Sequence, residues 1–194
     1  MPAIAATLTA TSFASTTWAW SGRKPRTQTL TTADGLALHL QRWLADPAAG
    51  SVVGTVQIVH GLGEHIGRYA ALARALNAAG WHVAGHDQRG HGRSGGARGT
   101  LAHPQALLHD LSAVIDHLRG AGRHVLLGHS LGGLVAARFV AESTGADADA
   151  ERWSRDVDGL VLSSPALDAG LGAAQRALLA TLSPIAPGLR LATA

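Results

Sequence analysis

The sequence predicts an α/β protein: a mostly parallel sheet with helices on both faces. Three observations carry this. Short, β-branched apolar runs alternate with longer stretches whose apolar residues recur at helical spacing. Glycines and polar loops punctuate nearly every junction. Of the 194 residues, 46% are hydrophobic and only 15% charged, enough apolar material for a core on two sides of a sheet.

In chain order, residues 1–28 are rich in Ala, Ser and Thr and read as a poorly ordered tail. They lack the basic start of a secretory signal, so the expected location is cytoplasmic. Leu36, Leu38 and Leu40 alternate with Ala37, His39 and Gln41 after Asp34-Gly35, which reads as a hairpin leading into a half-buried strand. Residues 52–59 are apolar and β-branched, as in a strand covered on both faces, and His60-Gly61-Leu62-Gly63 ends them. Residues 68–79 read as an Ala/Leu-rich helix stopped by Gly80. Residues 81–85 are the next strand, followed by a loop of Gly, His and Arg through Gly99. Leu107, Leu108, Leu111, Val114, Ile115 and Leu118 form one stripe of a helix over 104–118. A strand over 125–127, a helix over 134–142 opened by Gly132 and Gly133, a polar acid-bearing loop over 143–156 and a strand over 157–162 complete the alternation. Residues 29–168 are thus the expected core domain. After Asp168 the texture changes, with an apolar helix over 173–182 broken by Pro184 and Pro187.

Composition excludes several classes. The net charge is +3 and the isoelectric point near 10.5, yet Lys24 is the only lysine and the arginines are scattered, with no run of five basic residues. The footprint of a nucleic-acid binder is therefore missing. The absence of cysteine removes disulfides, thiol nucleophiles and thiolate zinc sites together. No stretch of eighteen uninterrupted apolar residues is present, so no transmembrane segment is expected.

Gly128-His129-Ser130-Leu131-Gly132 is the informative stretch. G-x-S-x-G arises by chance in a chain with 24 glycines, but here an apolar strand runs straight in from His124 and a helix runs straight out. In that setting small neighbours let a sharp turn lift a serine hydroxyl above the carboxyl edge of the sheet. Ser130 is the candidate nucleophile. Attack on an ester carbonyl creates an oxyanion, which backbone N–H groups stabilise where the charge develops. Leu131 N–H, at the positive end of the following helix, is one candidate donor. Leu62 N–H, in the loop after the third strand, is the other. The bland alternatives are a Gly-rich turn with an incidental serine and a plain strand-ending turn.

HGLGEHIGRYAALARAL, GHDQRGHGRSGG, LLGHSLGG and GLVLSSPALD follow one another in a family order and spacing. From about residue 29 to about residue 191 the chain resembles the α/β-hydrolases that include monoacylglycerol lipases, lysophospholipases and serine aminopeptidase-like hydrolases. The resemblance implies cleavage of long-chain carboxylic esters of glycerol or glycerophosphate through an acyl-enzyme on Ser130. A small lipid or ester is the implied partner, with no metal and no organic cofactor. It also implies that Leu62 and Leu131 form the oxyanion hole and that the segment from about residue 169, to the end at 194, begins the lid. Glu64, His65, Arg68 and Tyr69 match the family's EHxxRY stretch and are expected to pack the loop before they touch substrate.

In this fold the chain order is Ser, then Asp or Glu, then His. All eleven histidines precede Ser130. Of the later acids, Glu142, Asp147, Asp149, Glu151, Asp156 and Asp158 lie in or beside the loop over 143–156, and Asp168 resembles the family's PxLD stretch where the lid starts. The expectation is a fold truncated within the lid, lacking the last strands and with them the triad acid and base, and so close to inactive. The competing reading is an inactive fragment or pseudoenzyme that keeps the elbow without turnover. An unpaired apolar edge at 157–162 would favour self-association. His60, His86 and His91 are the histidines to weigh as substitute bases, but His60 ends a strand and the others flank a turn anchored by Asp87 and Arg89.

Two further patterns compete. Gly90-His91-Gly92-Arg93-Ser94-Gly95 fits G-x-G-x-x-G, but no helix opens at Gly95 and no acid ends a second strand about 20 residues on, as a dinucleotide site requires. His82, His86 and His91 suggest a metal site, but their spacing matches no standard ligand pattern.

Overall fold

The computed structural model describes residues 24–120, 122–143, 153–168 and 172–173. Six strands form one sheet: β1 (Arg26–Thr31), β2 (Ala37–Trp43), β3 (Gly54–Val59), β4 (Trp81–His86), β5 (Arg123–His129) and β6 (Gly159–Ser163). They lie in the order β1-β2-β4-β3-β5-β6, with β1, β2 and β4 paired antiparallel and the pairs from β4 to β6 parallel. Three α-helices accompany them: α1 (Ala70–Ala78), α2 (Ala106–Leu118) and α3 (Leu131–Ser143).

The helices cover both faces, as the strand patterns require. On β5, Leu126 packs with Leu108, Leu111 and Ile115 of α2 and Val135, Ala136 and Phe139 of α3. Its neighbours Val125 and Leu127 turn to the other face, where Val56, Ile58 and Val83 meet Ala73 of α1. This period-two exchange explains why the inner strands read as unbroken apolar runs. Leu38, Leu40 and Ala84 extend the α2 face toward the hairpin, against Val114 and Leu118.

Several boundaries differ from the sequence expectation. β1 opens at Arg26, so the sheet includes three residues assigned above to the tail; almost all of β1 is exposed, which removes the apolar alternation that would have revealed it. Residues 1–23 lie outside the described residues. The helix expected over 68–79 is a 3-10 turn, Ile66–Tyr69, running into α1, and Gly80 ends it at φ 84°. β5 is longer than 125–127 because His124 is buried: its Nε2 meets Gln57 Oε1 of β3 at 2.9 Å, so a polar residue serves as an interior strand position. α3 starts at Leu131, three residues earlier than expected, because Gly132 and Gly133 are helical. Trp153, placed above in a polar loop, is a core residue whose ring lies 5.2 Å from that of Phe139, tilted by 48°. The helix expected over 173–182 lies, beyond residue 173, outside the described residues.

Candidate active site

The chain order creates the crevice. From β3 the chain reaches β4 on one side through α1, and from β4 it returns past β3 to β5 through α2 on the opposite face. The loops leaving the carboxyl ends of β3 and β5 therefore diverge, and such a switch point is where open α/β sheets bind ligands. Val59 pairs with Gly128, which sets His60-Gly61 beside His129-Ser130.

Ser130 follows the end of β5 with φ 51°, in the left-handed region. A serine there costs roughly 1–3 kcal/mol, so its surroundings must hold it. Its N–H donates to the Ser163 carbonyl at 3.0 Å, and its own carbonyl accepts from Leu134 N–H at 3.1 Å and Ala166 N–H at 3.0 Å. The glycines are steric requirements. A Cβ on Gly128 would lie 2.5 Å from the Gly132 carbonyl oxygen, one on Gly132 would overlap the Val59 carbonyl, and one on Gly133 would lie 2.8 Å from Pro165 Cβ. The helix begins at Leu131, so its first N–H groups, Leu131 N–H among them, start directly beneath the serine.

The loop after β3 lies against this bend: a Cβ built on Gly61 would be 3.2 Å from Ser130 Cβ. Gly61 is held on both sides. Its N–H donates to Glu64 Oε2 at 3.1 Å, and that oxygen also accepts the Tyr69 hydroxyl at 2.7 Å. Its carbonyl lies 2.8 Å from His60 Nδ1. The tyrosine's hydrogen bond is the main reason the Glu64 carboxyl is held below its usual range, while burial, then the Glu64 contact, pushes the Tyr69 hydroxyl up. Leu62 is 69% exposed and Gly63 turns the chain at φ 73°. Glu64 and Tyr69 thus pack the loop, as expected from the sequence. Arg68 adds an outer contact to Glu64 at 3.8 Å.

His60, His91 and His129 are engaged by other groups. His60 is fully buried, and the Gln88 N–H donates to its Nε2 at 2.9 Å. His129 turns its Nδ1 to the Ser163 carbonyl at 3.0 Å and the Ser163 hydroxyl at 3.2 Å. His91 Nδ1 sits 3.0 Å from the Arg89 carbonyl. Burial lowers His86 to about 3. Among the described residues no histidine is hydrogen-bonded to the Ser130 hydroxyl. His82 Nδ1 accepts from Ala45 N–H at 2.9 Å, and no group of three or more potential metal ligands occurs among the described residues. The G-x-G-x-x-G segment wraps Asp87, whose carboxylate accepts from Ile66 N–H at 2.7 Å and Arg93 N–H at 2.8 Å. No described helix is long and apolar enough to cross a membrane.

A family model described as serine aminopeptidase, S33, matches residues 50–194. The chain belongs to the serine aminopeptidase S33 family. This is a family of hydrolases, and the sheet is an α/β-hydrolase sheet, as the resemblance implied. The S33 chain is 35% identical over 148 residues to a monoacylglycerol lipase of Mycolicibacterium smegmatis, covering 70% of this chain and 47% of the relative. It is 35% identical over 151 residues to the phospholipase YtpA of Bacillus subtilis, covering 76% and 53%. Among solved structures it is similar to the Paleococcus ferrophilus monoacylglycerol lipase, with a TM-score of 0.60, 35% identity, and 79% of this chain and 54% of that one covered. The S33 chain thus spans about half the length of the curated relatives it matches.

Two features of the site were not read from the sequence. One is the loop after β6, through Ser163 and Ala166, which clasps the Ser130 backbone; Ser-Ser-Pro at a strand end carries no signal for this. The other is the contact of His60 Nδ1 with the Gly61 carbonyl.

Proposed function

We propose that this chain carries the nucleophile and oxyanion hole of a serine ester hydrolase of the monoacylglycerol lipase or lysophospholipase type. Ser130 Oγ attacks the ester carbonyl carbon, the acyl group transfers to Ser130 as the alcohol leaves, and water releases the acid. Leu62 and Leu131 N–H groups stabilise the oxyanion, and removing one such donor costs about 2.7–4 kcal/mol. The carrying observation is Ser130 at φ 51° between a strand and a helix, with Gly61 packed on it. The similarity to a monoacylglycerol lipase and a phospholipase supports a lipid or small ester as substrate. All eleven histidines precede Ser130, and among the described residues none is hydrogen-bonded to its hydroxyl, so this reading assigns no base to it.

The test is hydrolysis of p-nitrophenyl butyrate and of a monoacylglycerol, with Ser130→Ala as the control. Without a base, turnover of about 10³–10⁴-fold over water is expected from the oxyanion hole and binding alone. Ser130→Ala should leave that contribution in place and remove only turnover that passes through an acyl group on Ser130. Equal rates in the two proteins would favour the reading in which the elbow is retained without turnover.

A further inference from the structure

We infer that Arg26 and Arg42, with the Nε2–H of His82, form a binding site for a phosphate group at the amino end of the parallel strands. Arg26 of β1 pairs directly with Arg42 of β2. Paired residues of an antiparallel ladder share a face, and like charges placed opposite one another repel. The face is the one α2 covers: along the same ladder Leu30 and Leu38 pack with Val114 and Leu118, and Gln28 Oε1 lies 3.0 Å from His117 Nε2. The next pair along the ladder is the two arginines, beyond that apolar cover. They lie at the end of the sheet opposite Ser130, which follows the carboxyl end of β5.

Nothing negative answers this pair among the described residues. Neither guanidinium is in an ion pair, and Arg42 Nε is buried without a hydrogen-bond partner. Elsewhere the pattern is the reverse: Arg89 is matched by Asp110 and Asp34, Arg138 by Glu142 and Arg155 by Asp116. Asp46, four residues after Arg42, turns its carboxylate to the Ala48 N–H at 2.9 Å, and Arg155 holds both oxygens of Asp116 at 2.7 Å. A third donor adjoins. Arg42 pairs with Ala84, so His82, two residues earlier on β4, is its diagonal neighbour, about 7–8 Å away and within reach of a long side chain. His82 Nδ1 accepts from the Ala45 N–H at 2.9 Å, which puts the ring proton on Nε2. Loss of solvent, then the Arg42 charge, holds this ring below its ordinary value, so the imidazole is neutral and the guanidinium is close to it. Two forked cations and a neutral N–H match a phosphate: its double negative charge balances theirs, and its three oxygens accept from all three groups. A carboxylate has half that charge and one oxygen fewer. Arg26 is exposed and Arg42 and His82 are half-buried, so the site is reached from solvent.

In the intact protein at neutral pH and constant ionic strength, replacing chloride by inorganic phosphate should raise the urea midpoint along a saturating curve. Arg26→Gln and Arg42→Gln should each weaken the apparent phosphate affinity at least about tenfold, while Arg74→Gln, at an exposed position of α1, should leave it unchanged. In chloride alone Arg26→Gln relieves the repulsion and should be at least as stable as the original; only with phosphate should it fall behind. A midpoint that phosphate does not move, or a phosphate response that Arg26→Gln retains, overturns the proposal. So does an Arg26→Gln protein weaker by the same margin in both buffers, which would mark the arginine as structural. Because Arg26 is exposed, this variant keeps the test decisive even where Arg42→Gln fails to fold. Sedimentation with phosphatidylcholine vesicles containing phosphatidate separates the two sources of such a group. Vesicle binding lost in Arg26→Gln assigns a lipid headgroup, whereas a response to inorganic phosphate without vesicle binding assigns a free phosphate or a soluble phosphate ester.

Discussion

At the scale of single residues, the site is a problem of crowding solved by glycine. Ser130 holds an uncommon backbone conformation because Ser163, Ala166 and Leu134 bond its peptide groups, and because three neighbouring positions have no side chain. Gly132 is the least forgiving of these, since any Cβ there meets the Val59 carbonyl of a central strand rather than a movable side chain. Gly132→Ala should therefore destabilise the protein by about 1–3 kcal/mol or more, read as a lowered urea midpoint. Gly120→Ala, where nothing nearer than 4.0 Å stands in the way, is the control and should change little. This much was legible: G-x-S-x-G between a strand and a helix is a local pattern whose meaning depends on adjacent residues. The His60 contact was not, because it depends on Gln88, which reaches the loop only through the pairing of β3 with β4.

At the scale of elements, the segment between β4 and α2 is held by charge. Arg89 grips Asp110 of α2 with two bonds of 2.6 Å and reaches Asp34 in the β1–β2 turn at 3.0 Å. Arg89 and Asp110 are buried, so removing one partner strands the other without solvent. Asp110→Ala should cost about 3–5 kcal/mol, measured by urea denaturation, whereas Asp34→Ala, at a more exposed end, should cost about 1 kcal/mol or less. A loss for Asp110→Ala no larger than that for Asp34→Ala would refute the assignment. The sequence reading recognised a turn anchored by Asp87 and Arg89, but could not pair Arg89 with an acid 21 residues later. Helix stripes and strand runs were legible because burial imposes a period on them. β1, mostly exposed, and Trp153, buried from an irregular segment, escaped because neither lies in such a period.

At the scale of the whole molecule, buried histidines govern the response to acid. His60, His86 and His124, all buried, and His82, partly buried, are pushed below their ordinary value, each chiefly by loss of solvent. The unfolded chain protonates them near 6.5, whereas the folded protein resists until lower pH, so acid favours unfolding in the interval between. Stability is greatest above pH 6.5 and declines as pH falls, and one such histidine contributes about 1.4 kcal/mol per pH unit across that interval. Asp34, lowered to about 2, chiefly by its Thr32 hydrogen bond and then by Arg89, reinforces the loss below the ordinary carboxylate range. Urea midpoints at pH 7.5 and 5.5 should differ clearly, with the acid sample weaker; identical midpoints would contradict the burial of these rings. The clasp on Ser130 has its own consequence for biosynthesis. The bend becomes complete only when residues some thirty positions downstream come to rest beside it, so a nascent chain emerging from the ribosome carries a slack, unprimed hydroxyl until that later stretch has docked.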